Sequence, residues 1–349
     1  MKLYNRDLEL IENREREKRV TELAEKNISF LVENYGINEN VLRKRFEKMA
    51  LVERVGKTHF AVQNGEKHEI QSNAPASFCA KKNMDFDGEK WTFENGLYTS
   101  DNNSNHTITH ELFHILSENT EMNYNEKGIG YDKRGVSITG YNKDDDDDDD
   151  KDLGIKANGL NEGITEMLAM QVDGMYTPQV YTPQVYLAQI LVNSQENSLI
   201  EAYFSNDIIK FQNFLDEFNK RQSIISSDKL VTLSMNSCED MNIDILKGCL
   251  QYSLSFCKNI EQLKEERNRL LPVFKSMKNN WVMEYSEENF DVKNFFIEIM
   301  NEKKREIQEQ SIENEIGKAT IHTDTQKKDE AQEQIKHDIQ KMQEKNKNR

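Results

Sequence analysis

Apolar residues recur at helical spacing near the start of the chain and over most of its second half, with a more broken texture between. From Asp7 to Glu33 the run is dense in Glu, Arg and Lys, with apolar positions at Leu10, Val20, Leu23, Leu31 and Val32. Gly36 ends it, and Asn38 opens a second helix carrying Val41, Leu42, Phe46 and Met49. Residues 1–56 are therefore expected to be an N-terminal helical region. Between 57 and 100 the runs shorten: Thr58 to Val62, His68 to Gln71, Lys90 to Phe93 and Leu97 to Thr99. Asn64-Gly65 and Asn95-Gly96 separate two of these pairs and favour tight hairpins, which predicts a small antiparallel sheet. Asp101 to Asn105 then offers caps for an apolar helix from Thr107 to Leu116.

Ser117 to Lys151 reads as mostly loop, with a short strand expected within Gly128 to Tyr141. A second apolar helix follows over Gly159 to Met170. Tyr176-Thr-Pro-Gln-Val180 is then repeated as Tyr181-Thr-Pro-Gln-Val185, a tandem copy too short to be a repeat architecture. From Tyr186 to Met300, stripes such as Phe211, Phe214, Leu215 and Phe218 predict a helical subdomain. Beyond Asn301 apolar residues thin into Lys, Glu and Gln, which predicts a charged, disordered tail.

The expected architecture is α+β and predominantly helical: a zincin-like core at 57–195 in which a small antiparallel sheet packs on a motif helix, then a helical subdomain at 196–300 and the tail at 301–349. Composition changes this only at the margins. Hydrophobic residues make up 36% of the 349, enough for a core but not a generous one. The formal charge of −16 argues against nucleic-acid binding through phosphate contacts. No stretch has the apolar length of a membrane span and the N-terminus is too charged for a signal-peptide core, so the expected location is cytoplasmic. Cys79, Cys238, Cys249 and Cys257 are too few and too irregular for a disulfide framework and read as small buried apolar residues. The seven aspartates Asp144 to Asp150 repel one another and read as a solvated insertion near 142–152, without the spaced oxygens of a calcium loop.

The chemistry concentrates in the helix at 107–116. His110 and His114, four apart, share one helical face, and Glu111 lies one step round. This is the arrangement in which two histidines bind Zn²⁺ and the glutamate acts as general base. Thr107, Ile108, Leu112, Phe113, Ile115 and Leu116 leave that face as the polar one, as a buried helix requires and a solvated one does not. A catalytic zinc normally takes three protein ligands. Glu162 and Glu166 are two acids four apart on an otherwise apolar helix, costly there unless paired or metal-bound. Their natural division is Glu162 as third ligand and Glu166 as acceptor from the free ring nitrogen of a ligating histidine. His59, His68 and His106 read as ordinary surface or core histidines.

His110-Glu-Leu-Phe-His114 followed by Asn161-Glu162-Gly-Ile-Thr-Glu166 resembles the gluzincin class of zinc metallopeptidases. The resemblance covers at most residues 57–195. It implies His110, His114 and Glu162 as zinc ligands, Glu111 as general base and Glu166 as the acid that orients the first histidine. It also implies a strand before the motif helix, here around Lys90 to Phe93, that aligns a peptide or protein substrate. The chain departs from the class in placing Glu162 52 residues after His110, in Glu for the commoner Asp at 166, and in lacking a downstream histidine outside the charged tail. The oxyanion-stabilising role then falls to a tyrosine, among Tyr131, Tyr141, Tyr176, Tyr181 and Tyr186, with Tyr141 favoured. The expected function is a zinc metallopeptidase. The alternative is a non-catalytic helical interaction protein with a structural or vestigial zinc site; substrate and oligomeric state are not specified.

Overall fold

In the computed structural model the described residues are 2–5, 9–53, 58–63, 66–71, 77–80, 84–86, 89–91, 95–119, 129–142, 154–155, 157–178, 180–192, 198–205, 207–233, 243–277, 291–314 and 332–333, as backbone alone at 58–95, 119–132 and 139–154. In chain order the elements are β1 (Lys2–Tyr4), α1 (Arg14–Tyr35), α2 (Glu39–Glu47), β2 (Met49–Glu53), β3 (Thr58–Gln63), β4 (Glu66–Gln71), β5 (Ser77–Ala80), β6 (Met84–Phe86), β7 (Glu89–Trp91), β8 (Asn95–Thr99) and α3 (Asn105–Ser117). Then come β9 (Glu118–Asn119), β10 (Ile129–Arg134), β11 (Ser137–Asn142), β12 (Gly154–Ile155), α4 (Asn158–Asp173), α5 (Thr182–Leu191), α6 (Ser198–Phe204), α7 (Ile208–Arg221), α8 (Ser227–Val231), α9 (Ile243–Ser255), α10 (Ile260–Met277) and a helix at 292–314, α11. The molecule is predominantly helical α+β. Among the described residues, no helix is long and apolar enough to cross a membrane.

The helix boundaries follow their caps. Asn13 accepts a hydrogen bond from the Arg16 amide at the start of α1, and Gly36 closes it in the left-handed region at φ 66°. Asn38 caps α2 and Ser104 caps α3 through the Thr107 amide, as the sequence led one to expect. The first fifty residues are not all helix, however. Residues 2–4 and 49–53 form strands, and Met49 belongs to β2 rather than to the second helix.

The sheet beside α3 is mixed, not antiparallel. Its order is β1-β2-β8-β5, with β1, β2 and β8 parallel and only the edge strand β5 antiparallel. β3 and β4 pair antiparallel with Gln63 opposite Glu66, while Asn64-Gly65 lies outside the described residues. Asn95-Gly96 does not turn: both residues lie inside β8, where Gly96 faces Ala50 on one side and Cys79 on the other. Pairing on both edges of a central strand overrides the local turn preference. The expected aligning strand at Lys90 to Phe93 is also displaced. Glu89 to Trp91 pair with Met84 to Phe86 in a separate two-stranded sheet, Phe93 lies outside the described residues, and the edge next to α3 is β5.

A second, antiparallel sheet of order β12-β11-β10-β9 occupies the segment expected to be mostly loop. The aspartate run lies outside the described residues. Behind both sheets, α4 packs against α3, α5, α8 and α1, and the buried Cys249 and Cys257 sit in the helical layer as apolar residues. The helix α11 runs to 314, across the boundary at 301, and all its residues past Ile307 are exposed.

Candidate metal centre

Two helices build the site. In α3 the apolar residues Ile108, Leu112, Phe113, Ile115 and Leu116 are fully buried and fix the helix against the sheet and α1. Arg19 of α1 donates to Asn105 Oδ1 at 2.9 Å and to the Asn103 carbonyl at 2.6 Å, holding the turn from which α3 springs. In α4, Leu160, Ile164, Met167 and Leu168 are likewise buried. Gly163 lies so close to α5 that an added Cβ would fall 2.4 Å from the Gln184 carbonyl oxygen.

Between the helices, Glu162 Oε2 stands 3.2 Å from His110 Nε2 and 3.2 Å from His114 Nε2. One donor atom from each of His110, His114 and Glu162 lies within 4.8 Å of the others, a grouping that could hold a metal ion. A tetrahedral zinc with bonds near 2.05 Å separates its ligand atoms by about 3.3 Å, so the 3.2 Å spacings match such a centre. They are long for charge-assisted hydrogen bonds, which run nearer 2.8 Å. The donor set suits a divalent metal ion without being specific to zinc.

The outer nitrogens of both histidines are held. His110 Nδ1 donates to Glu166 Oε2 at 2.9 Å, and His114 Nδ1 donates to Thr165 Oγ1 at 3.4 Å. Thr165 donates in turn to the Asn161 carbonyl at 2.8 Å and accepts from the Tyr203 hydroxyl at 2.6 Å. With each Nδ1 acting as donor, each Nε2 is the nitrogen left to address an ion once it has given up any proton it carries. Asn161 also contributes: its Oδ1 accepts from the Val136 amide at 3.1 Å and braces the β10–β11 turn. An added Cβ at Gly135, φ +57°, would lie 2.0 Å from that oxygen. Thus each polar residue of Asn161-Glu162-Gly-Ile-Thr-Glu166 has a definite task at the site.

The charges are strongly coupled. Burial alone would depress the His110 imidazolium, but hydrogen bonds with Glu162 and Glu166 and the charge of Glu111 outweigh it and push the group up to about 10. Burial would raise Glu162, yet His114 and His110 hold it well below the ordinary carboxylate range. Burial likewise opposes the ionisation of Glu166, and its bonds with His106 and His110 bring it down to about 2. Glu111 is partly exposed and acts on His110, Tyr181 and Tyr203 through its charge.

Two further residues enter the site, one of the five candidate tyrosines, though not the favoured Tyr141, and one histidine expected to be ordinary. Tyr181 stacks on His110 with ring centroids 5.9 Å apart and hydrogen-bonds to Glu162. Burial and the neighbouring carboxylates raise its phenol. It is the only non-glycine residue at positive φ among the described residues, at 52°, a conformation costing on the order of 1 kcal/mol that clusters at functional sites. Of the other tyrosines considered, Tyr176 is exposed, Tyr186 is buried against Ser276, and Tyr131 and Tyr141 are strand residues whose side chains lie outside the described residues. The second is His106, which lies inside α3 and bonds to Glu166 and Asp173. Its signal was present: His106, His110 and His114 recur every four residues on one face.

Compared with protein-family models, curated proteins and solved structures, the chain matches none.

Proposed function

We propose that this protein is a gluzincin-like zinc metallopeptidase, with His110, His114 and Glu162 as metal ligands and Glu111 as general base. The observation that carries the reading is the gathering of three donor atoms within 4.8 Å, Glu162 Oε2 standing 3.2 Å from each histidine Nε2, with both histidine outer nitrogens already engaged. Bound in such a site, zinc supplies Lewis acidity and acidifies a water. Glu111 takes the proton of that water as it attacks the carbonyl, then delivers it to the leaving amine. The Tyr181 hydroxyl donates to the oxygen on which negative charge develops. The antiparallel edge strand β5 offers free backbone groups to an extended peptide, a mode of binding that adds a strand to the sheet.

Among the described residues three donors gather at the site, which leaves a coordination position for water, whereas a structural zinc site fills all four. This favours a catalytic over a purely structural centre. The test is metal analysis of the purified chain together with cleavage of a peptide library. Stoichiometric zinc and chelator-sensitive hydrolysis are expected; zinc without cleavage of any peptide would sink the peptidase assignment, and no zinc would sink the metal centre.

A further inference from the structure

We infer that His106 is a positioning residue of the metal centre, setting His110 through Glu166; this rests on the metal reading above. Glu166 is fully buried, and a buried carboxylate is costly unless both oxygens accept hydrogen bonds. Its Oε2 accepts from His110 and its Oε1 accepts from His106 Nε2 at 3.0 Å. His106 Nδ1 faces Asp173 Oδ2 at 2.9 Å, and Asp173 Oδ1 lies 3.2 Å from Lys26 Nζ. An ionised carboxylate only accepts, so both ring nitrogens of His106 carry hydrogen and the ring is an imidazolium. The His106 N–H stops the Glu166 carboxylate from turning away from His110. Without it, the buried Oε1 would lose that donor and the Glu166 carboxylate would be free to rotate, releasing the ring whose Nε2 addresses the metal.

The path alternates between helices: Lys26 on α1, Asp173 on α4, His106 on α3, Glu166 on α4, His110 on α3. It reaches from the ligand to the first long helix of the chain.

The experiment measures Zn²⁺ affinity by competition with a chromophoric chelator, and the visible spectrum with Co²⁺ alone, in the full chain. His106→Ala is expected to weaken Zn²⁺ binding by about tenfold, the low end for groups that orient a ligand, and to shift the Co²⁺ bands. His106→Gln keeps one N–H for Glu166 and should recover part of the loss. In a Glu166→Ala background, His106→Ala should change little, because its route to the metal is gone. Melting of the metal-free variants checks that they fold; if His106→Ala does not, the same cycle run with His106→Gln decides. The inference is overturned if the His106 variants match the parent in affinity and spectrum, or if the loss is equal with and without Glu166. A parent chain that binds no Zn²⁺ overturns both this and the metalloenzyme reading.

Discussion

Neither Glu111 nor Tyr181 belongs to the group of three donors that could hold a metal ion, so under the proposed mechanism each can be removed with that group intact. Glu111→Gln is expected to keep stoichiometric zinc and lose activity by about 10²–10⁴, the usual worth of a positioned acid–base group. Full activity in that variant would end the mechanism. Tyr181→Phe should lower kcat by about 10²–10³ with zinc content unchanged, as for a lost oxyanion donor; an unaltered kcat would return the role to another group. Proton competition gives a third test at this scale. His110 must lose its Nε2 proton to bind metal, and in the metal-free chain it holds that proton up to about 10. Affinity should therefore rise with pH, about tenfold per unit between pH 7 and 9 for one displaced proton, and fall as pH drops. A flat profile over that range would contradict the raised His110. His110, His114, Glu162 and Glu166 were legible in the sequence because a spacing of four on a helix fixes a shared face by local geometry alone. Tyr181 and His106 were not, because each acquires its role from a partner on another element: Glu162 for the phenol, Glu166 and Asp173 for the ring.

At the level of elements, α4 is the piece on which the rest depends. It carries Glu162, the proposed third ligand, holds Glu166 and Thr165 against the two histidines, and touches α5 through Gly163. Gly163→Ala must push α5 away, with Tyr181 at its start, because the obstructing atom belongs to backbone. A loss of stability of about 1–3 kcal/mol is expected in denaturant melts, accompanied by reduced activity. An unchanged midpoint would mean that α5 can shift without cost. Helices were readable here because their caps and apolar periods are local. The sheet was not, since β1, β2 and β8 are parallel strands drawn from residues 2–4, 49–53 and 95–99, and no turn joins them. Gly96 shows the conflict most plainly: beside Asn95 it signals a hairpin, yet between β2 and β8's other neighbour it lies in an extended strand.

For the whole molecule, an ion held by α3 and α4 would join segments 52 residues apart along the chain. Stripping it with a chelator should lower the melting temperature, by an amount set by metal concentration: about 2.7 kcal/mol at a hundred times the Kd. Identical melting with and without chelator would argue against a bridging ion. The broad class, helical with small sheets, was legible from periodicity, while the packing that brings both sheets round one helix pair was not. The duplicated pentapeptide bears on how this chain can change over generations. The first copy leaves Tyr176 at 86% exposure, whereas the second runs into the buried part of α5. Replication slippage adds or removes identical units, and α5 is anchored from its downstream side by Leu187, Ile190 and Leu191. Whichever copy stands last therefore presents its tyrosine to the histidines. Copy number at this locus can drift in steps of five residues while the chemistry inherits the same phenol each time.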